Sequence, residues 1–316
     1  MKTLRRLLIA FIIILGAASA LPFAIPINEG GIDPAQLITD PDGAFLTLQD
    51  VRVYYEDKGD RGEPPVVLIH GLFGSTLTWR YNVDALLEAG YRVITFDRPG
   101  FGLSDKTGAF NYAISNQADL TAALLDALAV DSAVIVGHSA GGNVAASLAL
   151  RHPDRVDRLV LVDAAVAFGG PPAFVGGLVA LPPVWRWGRV GLQAYFTREN
   201  VEATLRGFQA DPAFLTEADY DAYWRAFQTP GWDIALLAIT RDLAVDALDD
   251  AALRRITART LLIWGAEDTL TPLAQGERLA GLLPDSQLVV IPNAGHQPFE
   301  EAPQAFNQVL IAFLNE

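Results

Sequence analysis

The sequence contains no cysteine. Disulfides, thiolate metal sites and a cysteine nucleophile are therefore excluded. The absence does not fix the compartment, because an exported protein need not carry disulfides. Histidine is scarce, with four in 316 residues, and no HExxH or paired-His spacing occurs. A dedicated zinc site is not expected from so few ligands. Charge is sparse as well: charged residues are 19% of the chain, and 37 acidic side chains outnumber 23 basic ones, for a net charge of −14. Such a surface repels phosphate backbones, so no nucleic-acid partner is expected. There is no long acidic run, no internal repeat and no low-complexity tract. Apolar residues, by contrast, make up 51%. That is enough for a sizeable core in one large domain or two small ones.

The most apolar stretch is at the N-terminus. Lys2, Arg5 and Arg6 precede an uncharged segment from Leu7 to Asn28. A basic start, an apolar middle and Ala18-Ser19-Ala20 fit a secretory signal cleaved after Ala20. The same segment has about the 20 residues that span a bilayer, and so fits a retained anchor equally well. Pro22 and Pro26 weaken a continuous helix in its last third. Either reading places the rest of the chain outside the cytoplasm, with membrane association through residues 7–28 under the second. Residues 29–42 read as a linker.

From about residue 43 short apolar runs alternate with helical patterns. Phe45–Leu48 and Val51–Tyr55 alternate like a hairpin. Val66–Ile69, Val93–Phe96, Val134–Val136 and Leu159–Val162 read as buried strands. Helical spacing covers Leu77–Ala89, Gln117–Ala129 and Gly142–Leu150. Repeated strand–helix–strand order predicts an α/β fold, a mostly parallel sheet with helices on both faces. The pattern breaks over residues 167–250, which lack a convincing strand and hold Pro171-Pro172, Pro182-Pro183 and many aromatics. This segment reads as an inserted helical cap. The sheet resumes at Thr260–Trp264 and Gln287–Ile291, with helices at about Leu273–Leu283 and Gln304–Leu314. The core is thus expected over 43–166 and 251–316.

Polar residues gather just past the strand ends, where open α/β sheets bind ligands. The strongest motif is Gly137-His138-Ser139-Ala140-Gly141, a G-x-S-x-G between a strand and a helix. In that context it predicts a nucleophile elbow, a tight turn whose neighbours must be small. A serine hydroxyl needs a histidine base, and the histidine needs an orienting carboxylate. His296 follows the last strand and Asp268 follows the strand before it. Asp163, also past a strand end, is the rival acid, and Glu267 should point elsewhere. The oxyanion formed by attack on a carbonyl needs pre-aimed N–H groups. Ala140 is expected to supply one, and Leu72, or its neighbour Phe73, the other. His70 is expected to brace its loop and His138 to pack at the elbow. No function is read for His152.

These residues resemble the α/β-hydrolase superfamily, in its branch of small esterases, C–C bond hydrolases and cofactor-free haloperoxidases. The resemblance rests on His70-Gly71, Asp97–Ser104, Gly137–Gly142, Gly265–Asp268 and Gly295-His296-Gln297-Pro298 with Glu301 and Pro303. It covers about residues 43–315 apart from the cap. It implies an eight-stranded sheet, a Ser139–Asp268–His296 triad, and no metal or organic cofactor. Asp97–Ser104 would be scaffold. Dehalogenases and epoxide hydrolases of the superfamily carry aspartate at the elbow, so Ser139 argues against both. The leading expectation is a carboxylic-ester hydrolase for an apolar acyl or aromatic ester. The alternatives are a C–C bond hydrolase of a ring-cleavage product and a ligand-binding homologue with little turnover. The cap aromatics are expected to line an apolar pocket as a group, although singly most suit the cap's own core.

Overall fold

The computed structural model describes residues 2–166, 172, 174–243, 246 and 248–316. Its eight strands are β1 (Gly43–Leu48), β2 (Val51–Lys58), β3 (Pro65–Ile69), β4 (Arg92–Phe96), β5 (Ala133–His138), β6 (Val156–Val162), β7 (Arg259–Gly265) and β8 (Ser286–Ile291). They form one sheet in the order β1-β2-β4-β3-β5-β6-β7-β8. The β1–β2 hairpin and the β2–β4 pair are antiparallel, and every other pair is parallel. This is the expected α/β architecture. The order reverses between β3 and β5, so the loops after those two strands open side by side at one edge of the sheet.

Strand periodicity explains the two cores. In β3, Val67 and Ile69 face one side, and Val66 and Leu68 the other. The first side is covered by α3 (Ile114–Ala127) and α4 (Ala140–Arg151), through Leu120, Leu124, Val144 and Leu148. The second is covered by Trp79, Phe299, Phe306 and Phe313. Central strands buried on both faces have little need of polar alternation, which is why β4 and β5 read as continuous apolar runs.

Two expectations need correction. The helix read over Leu77–Ala89 is two pieces: a 3₁₀ turn at Thr76–Trp79, then α2 (Val83–Glu88). Side chains at the break are used elsewhere. Arg80 pairs with Glu300, and Asn82 Nδ2 donates to Phe299 O at 3.1 Å and Asn307 Oδ1 at 2.8 Å. At the N-terminus, α1 (Lys2–Ala24) continues through Pro22. Proline lacks the N–H that residue i−4 would accept. The Ala18 carbonyl, left free by Pro22, instead accepts from Trp187 Nε1 at 2.9 Å. The Pro22 carbonyl, left free by Pro26, accepts from Arg186 Nε at 2.9 Å. Over Leu4–Ala24 α1 is long and apolar enough to cross a membrane, and it lies exposed.

After β6 the chain rises into helices: α5 (Phe174–Val179), α6 (Pro182–Tyr195), α7 (Arg198–Phe208), α8 (Glu217–Arg225) and α9 (Trp232–Asp242). No strand occurs there among the described residues. Residues 167–171, which include Pro171 of the first proline pair, and residue 173 lie outside the described residues. Val201, Leu205, Leu215, Tyr220 and Tyr223 form a separate small core for this layer. The chain then returns to the sheet through α10 (Asp250–Leu253), α11 (Leu273–Leu282), α12 (Pro298–Glu301) and α13 (Pro303–Leu314).

Candidate active site

Ser139 is the single residue between β5 and α4, with φ 51° and ψ −120°. A side chain at positive φ is strained, and such strain gathers at functional turns. The turn survives because its neighbours are small. A Cβ on Gly141 would collide with the Ile69 and His70 carbonyls, and one on Gly142 with Ala164. Ser139 N donates to Val162 O at 3.0 Å, and its carbonyl accepts from Gly142 N at 2.9 Å and Ala165 N at 3.0 Å. The backbone is thereby fixed at both ends, and the hydroxyl is left at the floor of a cavity of about 500 Å³.

His296 faces the same cavity. Its Nδ1 lies 2.8 Å from Asp268 Oδ2. Asp268 is buried, yet held strongly. Burial pushes its carboxyl up, but hydrogen bonds to His296 and Thr271 outweigh it and bring the pKa down to about 2. The Thr271 hydroxyl donates to Asp268 Oδ2 at 2.6 Å, and the Leu270 and Thr271 amides donate to Oδ1 at 2.7 and 3.0 Å. The carboxylate is thus ionised and fixed, and it orients His296 with Nε2 free for the cavity. No hydrogen bond joins Ser139 Oγ to His296 among the described residues. Such contacts are often long before substrate arrives.

The rival acid lies close but makes a different bond. Asp163 accepts from Gly265 N at 2.9 Å through Oδ1, while Oδ2 is buried with no partner. Burial first, then the nearby Asp268 charge, pushes its carboxyl well above the usual range, so it is neutral beside the ionised Asp268. Ligand-type atoms of Asp163, Asp268 and His296 lie within 4.8 Å of one another. A cation there would have to break the Asp268–His296 bond, so the donor set suits that pair better than a metal. Glu267 is exposed and points away.

The loop after β3 forms the opposite wall. Gly71 passes so close that a Cβ would stand 3.0 Å from Ser139 Cβ. Leu72 and Phe73 both line the cavity, and Phe73 has φ 61°, which turns the chain sharply. Neither amide, nor that of Ala140 in the first turn of α4, has an acceptor among the described residues. Three N–H groups are thus available around Ser139. His70 braces this loop: Nδ1 donates to Gly71 O at 2.7 Å, and Nε2 accepts from Arg98 N at 2.9 Å. Burial holds its pKa well below the ordinary value, so it is a neutral strut. His138 packs at the elbow, with Nε2 2.9 Å from His296 O. His152 bonds Asp119 at 2.7 Å on the surface. Asp97 holds its turn by accepting from Thr76 N and Leu103 N at 2.7 and 2.6 Å, the work of scaffold.

Several residues at the site have contacts that the sequence did not foretell, Glu301 and Arg98 among them although both lie in the motifs that carry the resemblance. Thr271 carried one weak signal, its place three residues past Asp268 in a turn-like Asp-x-x-Thr. Glu301 accepts from the Gly295, Gln297 and Ala210 amides at 2.7 to 3.1 Å, which ties the His296 loop to the cap. His296 N donates to Phe208 O at 2.9 Å on the same seam. Glu300, fully buried, accepts from Arg80 at 2.8 Å and from the Tyr223 hydroxyl at 2.6 Å. Arg98 is a buried cation with neutral partners, Gln117 Oε1 at 2.9 Å and Gly71 O at 3.0 Å, and it reaches the cavity wall. The cap aromatics divide unevenly. Phe196 and Tyr223 line the cavity, as does Phe208, whereas Trp224, Phe227 and Trp232 stand behind that lining, with Phe227 stacked between Trp224 and Phe196 and Trp232 edge-on to both Phe227 and Phe196. Aliphatic Leu192, Leu205, Leu236 and Ile239 supply much of the roof.

Comparison with known proteins places this geometry. A family profile described as alpha/beta hydrolase fold matches residues 64–303. The 2-hydroxy-6-oxononadienedioate/2-hydroxy-6-oxononatrienedioate hydrolase of Burkholderia vietnamiensis is 33% identical over 84% of this chain and 91% of its own. A solved meta-cleavage product hydrolase from Pseudomonas fluorescens is 30% identical, with TM-score 0.72, covering 86% of this chain and 97% of that one. A putative lipase from Acinetobacter baumannii is 25% identical, with TM-score 0.71, covering 86% and 90%. Sheet order, strained elbow and family match agree: the chain belongs to the α/β-hydrolase family, and it is a hydrolase.

Proposed function

We propose that the protein is a carboxylic-ester hydrolase working through an acyl-enzyme on Ser139. The observation that carries this is the ionised Asp268 bound to His296, facing the strained Ser139 across one largely apolar cavity. Ser139 Oγ attacks the ester carbonyl while His296 Nε2 takes its proton. Asp268 steadies the imidazolium that forms. The tetrahedral oxyanion rests on the Ala140 N–H and the Leu72 N–H, with Phe73 the alternative second donor. His296 then protonates the departing alcohol. Water activated by the same histidine releases the acid. The apolar roof suits an apolar acyl or aromatic group. The chain's N-terminal segment suits export or anchoring, with this chemistry outside the cytoplasm.

The test is turnover of nitrophenyl esters of increasing acyl length beside Ser139→Ala. A loss of at least about a thousandfold in kcat is expected from removing the nucleophile. Undiminished esterase activity in the variant would sink the mechanism. A second reading is C–C bond hydrolysis of a ring-cleavage product, favoured by the names of the relatives and by the buried Arg98 at the cavity wall. A kcat/KM for such a product well above that for any ester would select it. Tight binding of a small ligand without turnover would select a receptor-like role.

A further inference from the structure

The docking of α1 on the cap is built from side chains that answer its two prolines. Trp187 and Arg186 cap the carbonyls that Pro22 and Pro26 leave free, and Arg186 also donates to Ile25 O at 2.6 Å. Gln193 then exchanges two bonds with Asn28, at 2.8 and 2.7 Å. The apolar stretch Leu4–Ala24 is 21 residues. At 1.5 Å per residue it is about 30 Å long, the thickness of a bilayer's hydrocarbon. Ala18 lies some six residues short of its end, about 9 Å in depth by the same rise. Trp187 thus reaches a carbonyl inside the span, while Arg186, on the Pro22 and Ile25 carbonyls, sits where a spanning helix leaves the hydrocarbon, the level at which arginine is favoured.

The same side of the cap is apolar and open. Phe174, Leu178, Leu181, Val184 and Trp187 are 40 to 66% exposed. Large exposed apolar patches mark contact surfaces. The charge pattern says which kind. From Ala164 to Arg198 there is no carboxylate at all, although the chain has 37, and the charges present are Arg186, Arg189 and Arg198. Arg189 is taken up by Asp233 and Glu29, and Arg198 by Glu202, Glu217 and Asp221, so Arg186, beside the end of α1, is the one arginine of the stretch with no carboxylate partner among the described residues. An apolar patch without charge of its own, next to a helix long enough to span, suits acyl chains with a single cation at headgroup level. The patch also reaches the cavity. α5 packs so tightly on α9 that a Cβ on Gly176 would collide with Arg241 O, and Leu243, just beyond, is exposed and lines the cavity.

We propose that the cap face formed by α5 and the start of α6 seats on a lipid bilayer beside α1, so that the Ser139 cavity draws an ester dissolved in that bilayer. The substrate part of this proposal rests on the ester reading of Ser139. The seating does not.

The test uses the full chain reconstituted in phosphatidylcholine vesicles containing phosphatidylglycerol, beside the combined variant Phe174→Gln, Leu178→Gln, Leu181→Gln. These three side chains are outside the cavity lining. Seating is read from quenching by brominated acyl chains, taken as the difference between the parent and Trp187→Phe. Delivery is read from nitrophenyl palmitate in the vesicles against nitrophenyl acetate in water. The expected result is Trp187 quenching in the parent that falls by at least half in the combined variant. Palmitate turnover should fall at least tenfold while acetate turnover stays within twofold. Equal palmitate rates, or an unquenched Trp187 in the parent, would overturn the proposal. A change in oligomeric state on substitution, with vesicle activity kept, would assign the face to a second copy and overturn it too. If the parent cleaves neither ester, the ester reading falls and quenching alone decides the seating. If the variant loses both activities, the single variant Leu178→Gln is judged by quenching, with unchanged quenching counting against the seating.

Discussion

At the scale of the residue, two carboxyls side by side are set in opposite states by their hydrogen bonds. Asp268 has two amides, a hydroxyl and an imidazole around it and is ionised. Asp163 has one amide and is neutral. Asp268 is lowered from its ordinary value to about 2, so it contributes stability above the unfolded pKa. That contribution, on the order of 2 kcal/mol, is lost as pH falls from about 4 to about 2. Asp163 has the opposite sign, since an unfolded chain would ionise it and the fold resists this. Asp163→Asn should therefore raise Tm, more at pH 8 than at pH 4, as thermal unfolding at the two values would check. A larger gain at pH 4 would contradict the assignment. Thr271→Val removes a donor to Asp268 and should raise the lower limb of the pH–kcat profile with a drop in kcat of about tenfold. The roles of His70 and His138 were legible from position alone, because each adjoins a glycine-rich turn. Thr271 was not, since a hydroxyl three residues past an aspartate is common in turns.

At the scale of the element, tolerance ends at the elbow. Gly141→Val should prevent stable folding, because the side chain would run into the Ile69 and His70 carbonyls, and backbone does not yield as a flexible side chain would. Soluble yield and circular dichroism would show it. The cap is fastened by a buried cluster in which Glu300 bridges Arg80 of the core and Tyr223 of α8. Glu300→Ala leaves Arg80 with Asp219, at 2.8 Å, but takes away the acceptor of the buried Tyr223 hydroxyl, and should cost about 2 kcal/mol, read from denaturant unfolding. The strands were legible to within three residues, since two-sided burial leaves a continuous apolar run; the largest misses are the charge-bearing ends Glu56–Lys58 of β2 and Val156–Arg158 of β6. The segment 77–89 was misread as one helix. Its apolar spacing is helical, but Arg80 and Asn82 are bound to α12 and α13 and break it. Pro22 reads as weakening the N-terminal helix, yet α1 runs through it, because Trp187, 165 residues away, binds the carbonyl that Pro22 frees, and no local pattern encodes that.

At the scale of the molecule, the sheet order brings four separate segments to one cavity: the loop after β3, the elbow after β5, and the loops after β7 and β8. Chain order made the Ser139, Asp268 and His296 set legible, because each follows its own strand. The cavity roof was legible only as a class of residue. Aromatics were prominent in the sequence, yet Leu192, Leu205, Leu236 and Ile239 cover much of the site, since which face of a cap helix turns inward depends on how α6 to α9 pack. The seam of Glu301, Ala210 and Phe208 joins that roof to the His296 loop. Opening the cap and moving His296 should therefore be linked, and ligands that fill the cavity should slow proteolysis within residues 208–211.

The account's central claim is that Ser139 is the nucleophile. Its most direct test is the intact mass of the full chain after reaction with a fluorophosphonate, followed by peptide mapping. The expected result is a single adduct on Ser139, formed in step with loss of ester turnover and absent from Ser139→Ala. An adduct on any other residue, or a fully active enzyme carrying the label on Ser139, would contradict it.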